Sequence, residues 1–445
     1  MDGSALIVEN VLVIGAARSG VAVSRLLVKM GYHVLLTDQK EILQKNELES
    51  LGIEVYEKGH PDSLKERQYA FLVKNPGIPY TAPFVAYFVE KKIPIYTEIE
   101  IAFRARKDFS YAAVTGTDGK TTVTTLLYEM LKSEKPALVA GNIGTPLSEC
   151  ALTAENQEYA VALELSNFQL LGIDTFAPTV STVTNLAPDH LDYMDSLESY
   201  YSSKMKIYEH CDPQAWFIRN VDDENIVHFA QNIPCKVIDF SLLRKDVDLY
   251  KDDTYAYLHD QILFKLSDLK IVGDFNVGNA MMAACMAYRM GISLESISRV
   301  IASFHGVEHR IEYVGTVRGV RIYNDSKATN THAACAALSA FDQNVILLCG
   351  GKDKHISFDD LKQFDSKIKH CFSFGQTQDA FQSIFTHQTS CQTMENALKK
   401  AFDCARPGDV ILLSPACSSF DQFKNFEVRG EIFKDLVAQL GGEAI

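Results

Sequence analysis

The sequence predicts an α/β protein in three domains: a Rossmann-like N-terminal domain, a central P-loop mononucleotide-binding α/β domain and a Rossmann-like C-terminal domain. Length is the first ground, because 445 residues hold about three domains. Two glycine loops set between strand and helix are the second. One lies in residues 10–38, NVLVIGAARSGVAVSRLLVKMGYHVLLTD, and the other in residues 111–125, YAAVTGTDGKTTVTT. The third is the last 139 residues, where apolar β runs alternate with helical ones as in a further doubly wound sheet.

Composition narrows the partners. Hydrophobic residues make up 47% and charged ones 22%, ordinary for a globular chain. Forty-three basic against fifty-seven acidic residues give −14, and no basic run stands out, so no nucleic acid is expected. The ten cysteines include no C-x-x-C pair and sit mostly in apolar runs (Cys285, Cys335, Cys349). They read as small buried hydrophobes in a reducing compartment. The N-terminus lacks a basic segment followed by an apolar one, and no apolar stretch reaches 18 residues. A cytoplasmic protein without signal peptide or membrane span is expected.

In the N-terminal region a strand, Val11–Ile14, enters Gly15. A helix runs from about Ser19 to Met30, Gly31 ends it, and a second strand ends at Asp38. The loop is G-x-x-x-S-G, with Ser19 and Gly20 closing it. Asp38 stands where dinucleotide sites carry a ribose-binding acid, so an NAD-binding module and a purely structural β-α-β unit are both open here. A third strand, Tyr69–Val73, runs into Lys74-Asn75-Pro76-Gly77-Ile78-Pro79, a rigid turn at the usual ligand edge of such a sheet. The pattern changes at Thr97-Glu98-Ile99-Glu100, which puts the first boundary near 97.

In the central loop, Gly116-Thr117-Asp118-Gly119-Lys120-Thr121-Thr122 follows strand Tyr111–Val114. Glycines let backbone N–H groups converge on an anion, and the helix N-terminus adds partial positive charge. The lysine then reaches terminal phosphates and the next hydroxyl can ligate Mg²⁺. Val114 replaces the first glycine of the full pattern, leaving the shorter G-T-x-G-K-T. The alternative is an ordinary glycine turn. Gly141-Asn142-Ile143-Gly144 is a second glycine turn. Glu164 ends the strand in VALELSNFQL, residues 161–170. P-loop folds need an acid at a neighbouring strand end to hold Mg²⁺; the alternative is a strand-terminal acid in solvent. Another strand ends near Thr184. Asn185, Asp189, His190 and Asp192 then crowd one loop, which favours a metal or phosphate role for His190. Lys204, in Ser202-Ser203-Lys204-Met205, reads from local sequence as a helix-surface lysine.

Residues 211–272 read as short β pieces, among them 216–220 and 236–240. A helix follows Gly273-Asp274-Phe275-Asn276-Val277-Gly278-Asn279 and continues through Tyr288. The second boundary falls near 306, before His309-Arg310. A hairpin, 311–325, leads to Asp325-Ser326-Lys327-Ala328-Thr329-Asn330 opening a helix. NVILLCGG runs as a strand into Lys352-Asp353-Lys354. Helices fill 377–404, and DVILLSPACSSFDQFKNFEVRGEIF gives strand, loop and helix.

These motifs resemble those of the Mur ligases, the ATP-dependent amide-forming enzymes of peptidoglycan precursor synthesis, and the resemblance covers all three domains. It rests on G-T-x-G-K-T, on the lysine context S-x-K-x-x-I-Y after D-H-L-D, and on H-R at 309–310. The G-x-x-x-S-G loop, N-P-G-I-P and S-P-A-x-x-S-x-D-Q-F-K-N-F-x-x-R-G add to it. The last run points to the member that adds D-glutamate. Two positions depart from the pattern: Asp118 stands where the family has Asn, and Phe275 where it has His. Another Mur ligase or a folylpolyglutamate synthase shares the phosphate loop, but neither is expected to carry the C-terminal run. An NAD-dependent oxidoreductase or a non-catalytic nucleotide-binding regulator are the rivals from other classes.

The resemblance implies domains 1–97 for the UDP-substrate, 98–306 for ATP and 307–445 for D-glutamate. It implies UDP-N-acetylmuramoyl-L-alanine and D-glutamate as substrates, ATP, two Mg²⁺ sites, a carbamylated Lys204 and a monomer. Lys120 neutralises terminal phosphates beside Gly116, Thr117, Asp118, Gly119 and Thr122. Thr121 and Glu164 hold one metal, and His190 and carbamylated Lys204 the other. Asn142 lies by the acyl end, Asn276, Asn279 and Arg310 approach the nucleotide, Asp325 its ribose, and Lys327 the γ-phosphate. Gly15, Ser19, Gly20, Asp38, Asn75, Gly77, Ser166 and Gln169 bind the UDP-substrate. Thr329, Lys354, Ser419 and Phe426 form the D-glutamate pocket, with Lys352 as the alternative to Lys354.

Overall fold

A computed structural model describes residues 9–188, 196–353 and 357–441. The chain divides into two compact units, Met1–Phe264 with Asn279–Val300, and Lys265–Gly278 with Ile301–Ile445.

The first unit opens with a five-stranded sheet of β1 (Asn10–Ile14), β2 (His33–Thr37), β3 (Glu54–Tyr56), β4 (Phe71–Lys74) and β5 (Ile95–Tyr96), ordered β3-β2-β1-β4-β5. Every pair is parallel. Side chains alternate across a strand. Accordingly Val11 and Val13 enter one core, with Leu26 and Leu27 of α1 (Arg18–Lys29), while Leu12 and Ile14 enter another with Val85 and Phe88. Helices on both faces explain why these strands read as unbroken apolar runs.

The segment where the pattern changes becomes α2 (Glu98–Ala105). Its buried Glu98 accepts from the N–H groups of Leu147 (3.3 Å) and Ser148 (2.7 Å). Glu100 accepts from those of Asp174, Thr175 and Phe176.

A nine-stranded sheet follows. Its strands are β6 (Ser110–Thr115), β7 (Ala137–Gly141), β8 (Ala160–Glu164), β9 (Val180–Val183), β10 (Trp216–Asn220), β11 (Lys236–Phe240), β12 (Leu249–Lys251), β13 (Tyr255–Leu258) and β14 (Gln261–Lys265). The order β14-β13-β12-β11-β10-β9-β6-β8-β7 puts β6 between β9 and β8, parallel to both. Val114 is the register partner of Glu164, so the acid ends its strand beside the strand that feeds the phosphate loop. That loop leads into α3 (Lys120–Lys132), and Lys204 lies on α4 (Leu197–Met205). Then comes α5 (Asp274–Arg289), which starts inside the 273–279 run rather than after it.

The second unit carries β15 (Glu312–Val317), β16 (Val320–Asn324), β17 (Val345–Gly350), β18 (Ile368–Phe374), β19 (Gln388–Ser390) and β20 (Val410–Leu413), ordered β15-β16-β20-β17-β18-β19. The β15–β16 hairpin is antiparallel and the other pairs are parallel. Two expectations are corrected. Residues 325–330 precede a helix, α6 (Thr331–Ser339), whose N-cap Asn330 accepts from Ala333 N–H at 2.8 Å. Residues 377–404 are not all helical, because β19 interrupts them. It is a short, polar edge strand and shows no alternation to read. A last helix, α7 (Phe426–Gly441), closes the unit. Cys285 and Cys349 are buried as expected, and Cys335 is half-buried. No helix of the described residues is long and apolar enough to cross a membrane.

Candidate nucleotide and substrate site

The loop between β6 and α3 is held open by its own backbone. Gly116 has φ +142°, and a Cβ there would lie 1.9 Å from Thr184 Oγ1. Gly119, the N-cap of α3, has φ +79°, and its Cβ would lie 2.5 Å from Asn279 Oδ1. Neither position has room for a side chain, and L-residues rarely adopt either conformation. The loop is tied to the exit of β9. Thr117 N–H donates to Asn185 O (3.0 Å), Asp118 N–H to Asn185 Oδ1 (2.9 Å), and Thr184 Oγ1 to Asp118 O (2.5 Å). Asp118 itself is exposed.

Two lysines converge on one carbonyl. Lys120 Nζ donates to Gly116 O (2.9 Å) and Thr117 O (2.7 Å), and Lys204 Nζ donates to Gly116 O (2.8 Å). Lys204 is 2% exposed and its Nζ lies 4.6 Å from the centre of the Tyr200 ring. The helix-surface reading of Lys204 is therefore wrong. Thr121 and Thr122 lie in the first turn of α3, half-buried and buried.

Glu164 is 2% exposed, which removes the solvent reading. Its Oε1 accepts from Asn142 Nδ2 at 2.9 Å, and its backbone carbonyl accepts from Asn142 N–H at 2.9 Å. Its Oε2 is buried with no hydrogen-bond partner among the described residues. A buried carboxylate oxygen without a donor is costly unless a cation or proton meets it. With the Thr121 hydroxyl on the adjacent helix, this all-oxygen donor set fits a hard divalent cation. His190, assigned above to a metal, lies outside the described residues. Asn279 packs on Gly119, whereas Asn276, on the same helix, donates from Nδ2 to Val272 O at 2.8 Å.

At the carboxyl edge of the first sheet, Gly15, Ser19, Gly20, Asn75 and Gly77 come together. Asn75 Nδ2 donates to Ser19 Oγ (3.3 Å) and Gly77 N–H to Asn75 Oδ1 (3.1 Å). A Cβ on Gly15 would lie 2.8 Å from Asn75 Cβ, and one on Gly20 1.8 Å from Gly15 O. Asp38 accepts from Ala16 N–H (2.6 Å) and Lys40 N–H (2.8 Å), so both its oxygens are engaged by backbone. Ser166 and Gln169 form a capping box with each other.

In the second unit, Lys327 is exposed, with Nζ 5.8 Å from the centre of the Phe426 ring. Phe426 O accepts from Ser326 Oγ at 2.8 Å. Thr329 is half-buried and Ser419 is buried. Lys352 N–H donates to Ser418 O at 2.9 Å, next to Ser419. Lys354 lies outside the described residues. Arg310 is exposed. The sequence reading gave Arg429 no role. It is fully buried and donates to Ser326 Oγ (3.0 Å), Ser326 O (2.7 Å) and Cys417 O (3.1 Å), joining the loop of Lys327 to that of Ser419. Its place in the Q-F-K-N-F-x-x-R-G run was the available signal.

Asp325 is buried and accepts from Ser414 Oγ (2.7 Å) and Ile311 N–H (3.2 Å). Burial outweighs these bonds and pushes its pKa up to about 7. The folded chain then holds this proton more tightly than the unfolded one. Its stabilising effect is present below about 4 and is lost as pH rises through about 7. Asp325→Asn is expected to remove that part of the pH dependence, on the order of 4 kcal/mol at most. The check is the difference between wild-type and variant unfolding free energies from pH 4 to 8. A pH-independent difference would refute it.

Comparison with known proteins agrees with this geometry. Residues 114–287 match the Mur ligase middle domain, and residues 309–417 match the Mur ligase, glutamate ligase domain. The UDP-N-acetylmuramoylalanine–D-glutamate ligase of Bacillus subtilis (strain 168) is 40% identical over 443 residues, covering 97% of this chain and 98% of the relative. That of Geobacillus kaustophilus is 41% identical over 444 residues with the same coverage. Among solved structures, MurF from Acinetobacter baumannii matches with a TM-score of 0.59 at 17% identity, covering 97% of this chain and 93% of that one. The UDP-N-acetylmuramate–alanine ligase of Thermotoga maritima matches at 0.56 and 18%, covering 97% and 100%. Identities this low speak for the fold alone, but the near-full-length match at about 40% speaks for descent. The chain belongs to the Mur ligase family.

Proposed function

We propose that this protein is an ATP-dependent acid–D-amino-acid ligase that joins D-glutamate to UDP-N-acetylmuramoyl-L-alanine in peptidoglycan precursor synthesis. The observation that carries this reading is the near-full-length 40% identity to relatives bearing that ligase's name. A solved MurF ligase of the same fold, from Thermotoga maritima, is in complex with ADP. The domains divide as 1–97 for the UDP-substrate, 98–306 for ATP and 307–445 for D-glutamate. A cytoplasmic monomer serving cell-wall growth, and through it cell shape, division and the cell cycle, completes the reading.

The reaction brings two anions together. The L-alanyl carboxylate attacks the γ-phosphorus of ATP, ADP leaves, and an acyl phosphate results. The amine of D-glutamate then adds to the acyl carbon, and phosphate leaves from the tetrahedral intermediate. Such chemistry asks mainly for positioning and charge compensation. The α3 N-terminus offers backbone N–H groups to the phosphates, and Lys120 can turn from Gly116 O to meet them. Thr121 and Glu164 would hold one Mg²⁺, and His190 with carbamylated Lys204 the other. When bound, these ions neutralise phosphate charge. Carbamylation begins with loss of one proton from the Lys204 ammonium; the free amine then bonds to the carbon of CO₂ with release of a second proton, turning a repelled cation into an oxygen ligand. Asn142 orients Glu164. Thr329, Ser419, Phe426 and Lys354 serve the amino acid, and Lys327 the reacting phosphate.

Asp118 departs from the family's Asn, and its exposed carboxylate sits beside the phosphates. Solvent screens exposed charges. Asp118→Asn is therefore expected to lower the KM for ATP by only about two- to fivefold, as exposed pairs are weak. A marked rise in that KM would show the carboxylate to be a required ligand.

The function is tested by coupled ADP release. Turnover should require UDP-N-acetylmuramoyl-L-alanine and D-glutamate together. L-Glutamate, meso-diaminopimelate and L-lysine should not replace D-glutamate. Release with one of those instead, or none with D-glutamate, overturns the reading.

A further inference from the structure

The lysine that ends β4 has no part in the mechanism above. Lys74 is 1% exposed. Its Nζ donates to the carbonyls of Ile78 (2.6 Å), Asn75 (3.2 Å) and Pro76 (3.5 Å), and lies 4.5 Å from the centre of the Tyr80 ring. No carboxylate among the described residues pairs with it. Leu72, two residues earlier on β4, belongs to the apolar cluster with Val85 and Phe88, against which Ile78 and Tyr80 also pack. Burial pushes its pKa down to about 8, so it is still mostly protonated at neutral pH. Its proton is held less tightly in the fold than out of it. That weakens the fold below about pH 8, and the loss fades as pH rises through 8 toward the ordinary lysine value. An apolar side chain there would escape the cost of burying the charge but would leave the three carbonyls without this donor. The charge itself is a cost to the fold.

Its location supplies a reason for keeping it. The turn it draws inward carries Asn75 and Gly77, and Asn75 reaches Ser19 in the first turn of α1. This is the edge beyond the carboxyl ends of β1 and β4, where open α/β sheets bind ligands. Three carbonyls of the turn point down to Nζ. Their negative ends are thus withdrawn from the edge, and a positive charge stands beneath it.

We propose that Lys74 is a positioning residue for the diphosphate-bearing substrate, holding the 75–78 turn with its carbonyls turned away from that anion and a fixed cation below. The inference rests on the reading that this edge takes the UDP part of the substrate.

The test uses Lys74→Met in the full-length enzyme. The KM for UDP-N-acetylmuramoyl-L-alanine should rise about tenfold, the lower end of what one charge-assisted contact contributes. The KM values for ATP and D-glutamate should stay within about twofold. The melting temperature should change little, because loss of the buried charge offsets loss of its bonds to the three carbonyls. A merely structural staple would instead lower the melting temperature and leave all three KM values unchanged, and that result overturns the proposal. Asn75→Ala separates the two readings. If it raises the KM for the UDP-substrate and Lys74→Met does not, only the role of Lys74 fails. If neither variant moves that KM, the UDP assignment of the edge fails as well. Should Lys74→Met not fold, Lys74→Gln keeps an N–H donor without the charge. An unchanged KM for the UDP-substrate in that variant overturns the proposal, and a rise supports it.

Discussion

Lys204→Ala is expected to lower ligase turnover by at least about 100-fold, and a short-chain carboxylate such as formate or acetate should restore part of it. The size follows from what loss of a metal-supporting group typically costs, about 3 kcal/mol at this level. The side chain is almost fully enclosed, and its Nζ reaches the phosphate loop at Gly116 O. Two roles are open to such a group. As an ammonium it anchors the loop, and then a small amine would rescue the alanine variant. As a carbamate it presents oxygen to a cation, and then a carboxylate would rescue it. The two reagents carry opposite charge, so the assay separates the roles. Coupled ADP release with each rescue reagent is the measurement. Rescue by amine alone would sink the carbamate role, and unchanged activity without any reagent would sink both.

Glu164→Gln is expected to reduce turnover by about 1,000-fold, roughly 4 kcal/mol of transition-state stabilisation. The ligand-free protein should lose little stability or gain some. Glutamine keeps an oxygen for Asn142 Nδ2 and removes a buried carboxylate whose second oxygen has no partner among the described residues. An unpaired buried charge is costlier than an unpaired buried amide. Activity and stability should thus move apart in one substitution, as they do where a site holds strain for function. Thermal unfolding without ligand, beside steady-state ADP release, checks both halves. A variant that keeps activity within tenfold, or that melts far below wild type, would mean that Glu164 serves the fold instead.

Much of this was legible in the residues because local chemistry and tertiary role coincide. Val11 to Ile14 are apolar on both faces because helices cover both sides of their sheet. The glycines at 116 and 119 mark a loop that only glycine can form. Glu164's place at a strand end beside the phosphate loop was readable because an apolar run stops at it, as strands of such sheets do at their carboxyl edge. Lys204 was not, since its acceptor is 88 residues away in sequence and nothing in S-S-K-M announces burial. Only the family resemblance pointed to it. Arg429 was hidden in the same way, with its Ser326 acceptors 103 residues distant. Lys74 was read as the first residue of the turn after the strand, whereas it ends β4 and is buried, and nothing in K-N-P-G announces that burial. β19 escaped because three polar residues on an edge carry no period.

The phosphate loop also dictates where its own sequence is free to drift. A side chain at 116 would collide with Thr184, and one at 119 with Asn279. Thr117 is held through its hydroxyl to Ala187 O, and Lys120 is the cation of the loop. Asp118 alone contributes mainly backbone, through its N–H and carbonyl, while its side chain looks outward. The position where this chain differs from the family's usual loop is therefore one at which a changed side chain disturbs the loop's own bonding little.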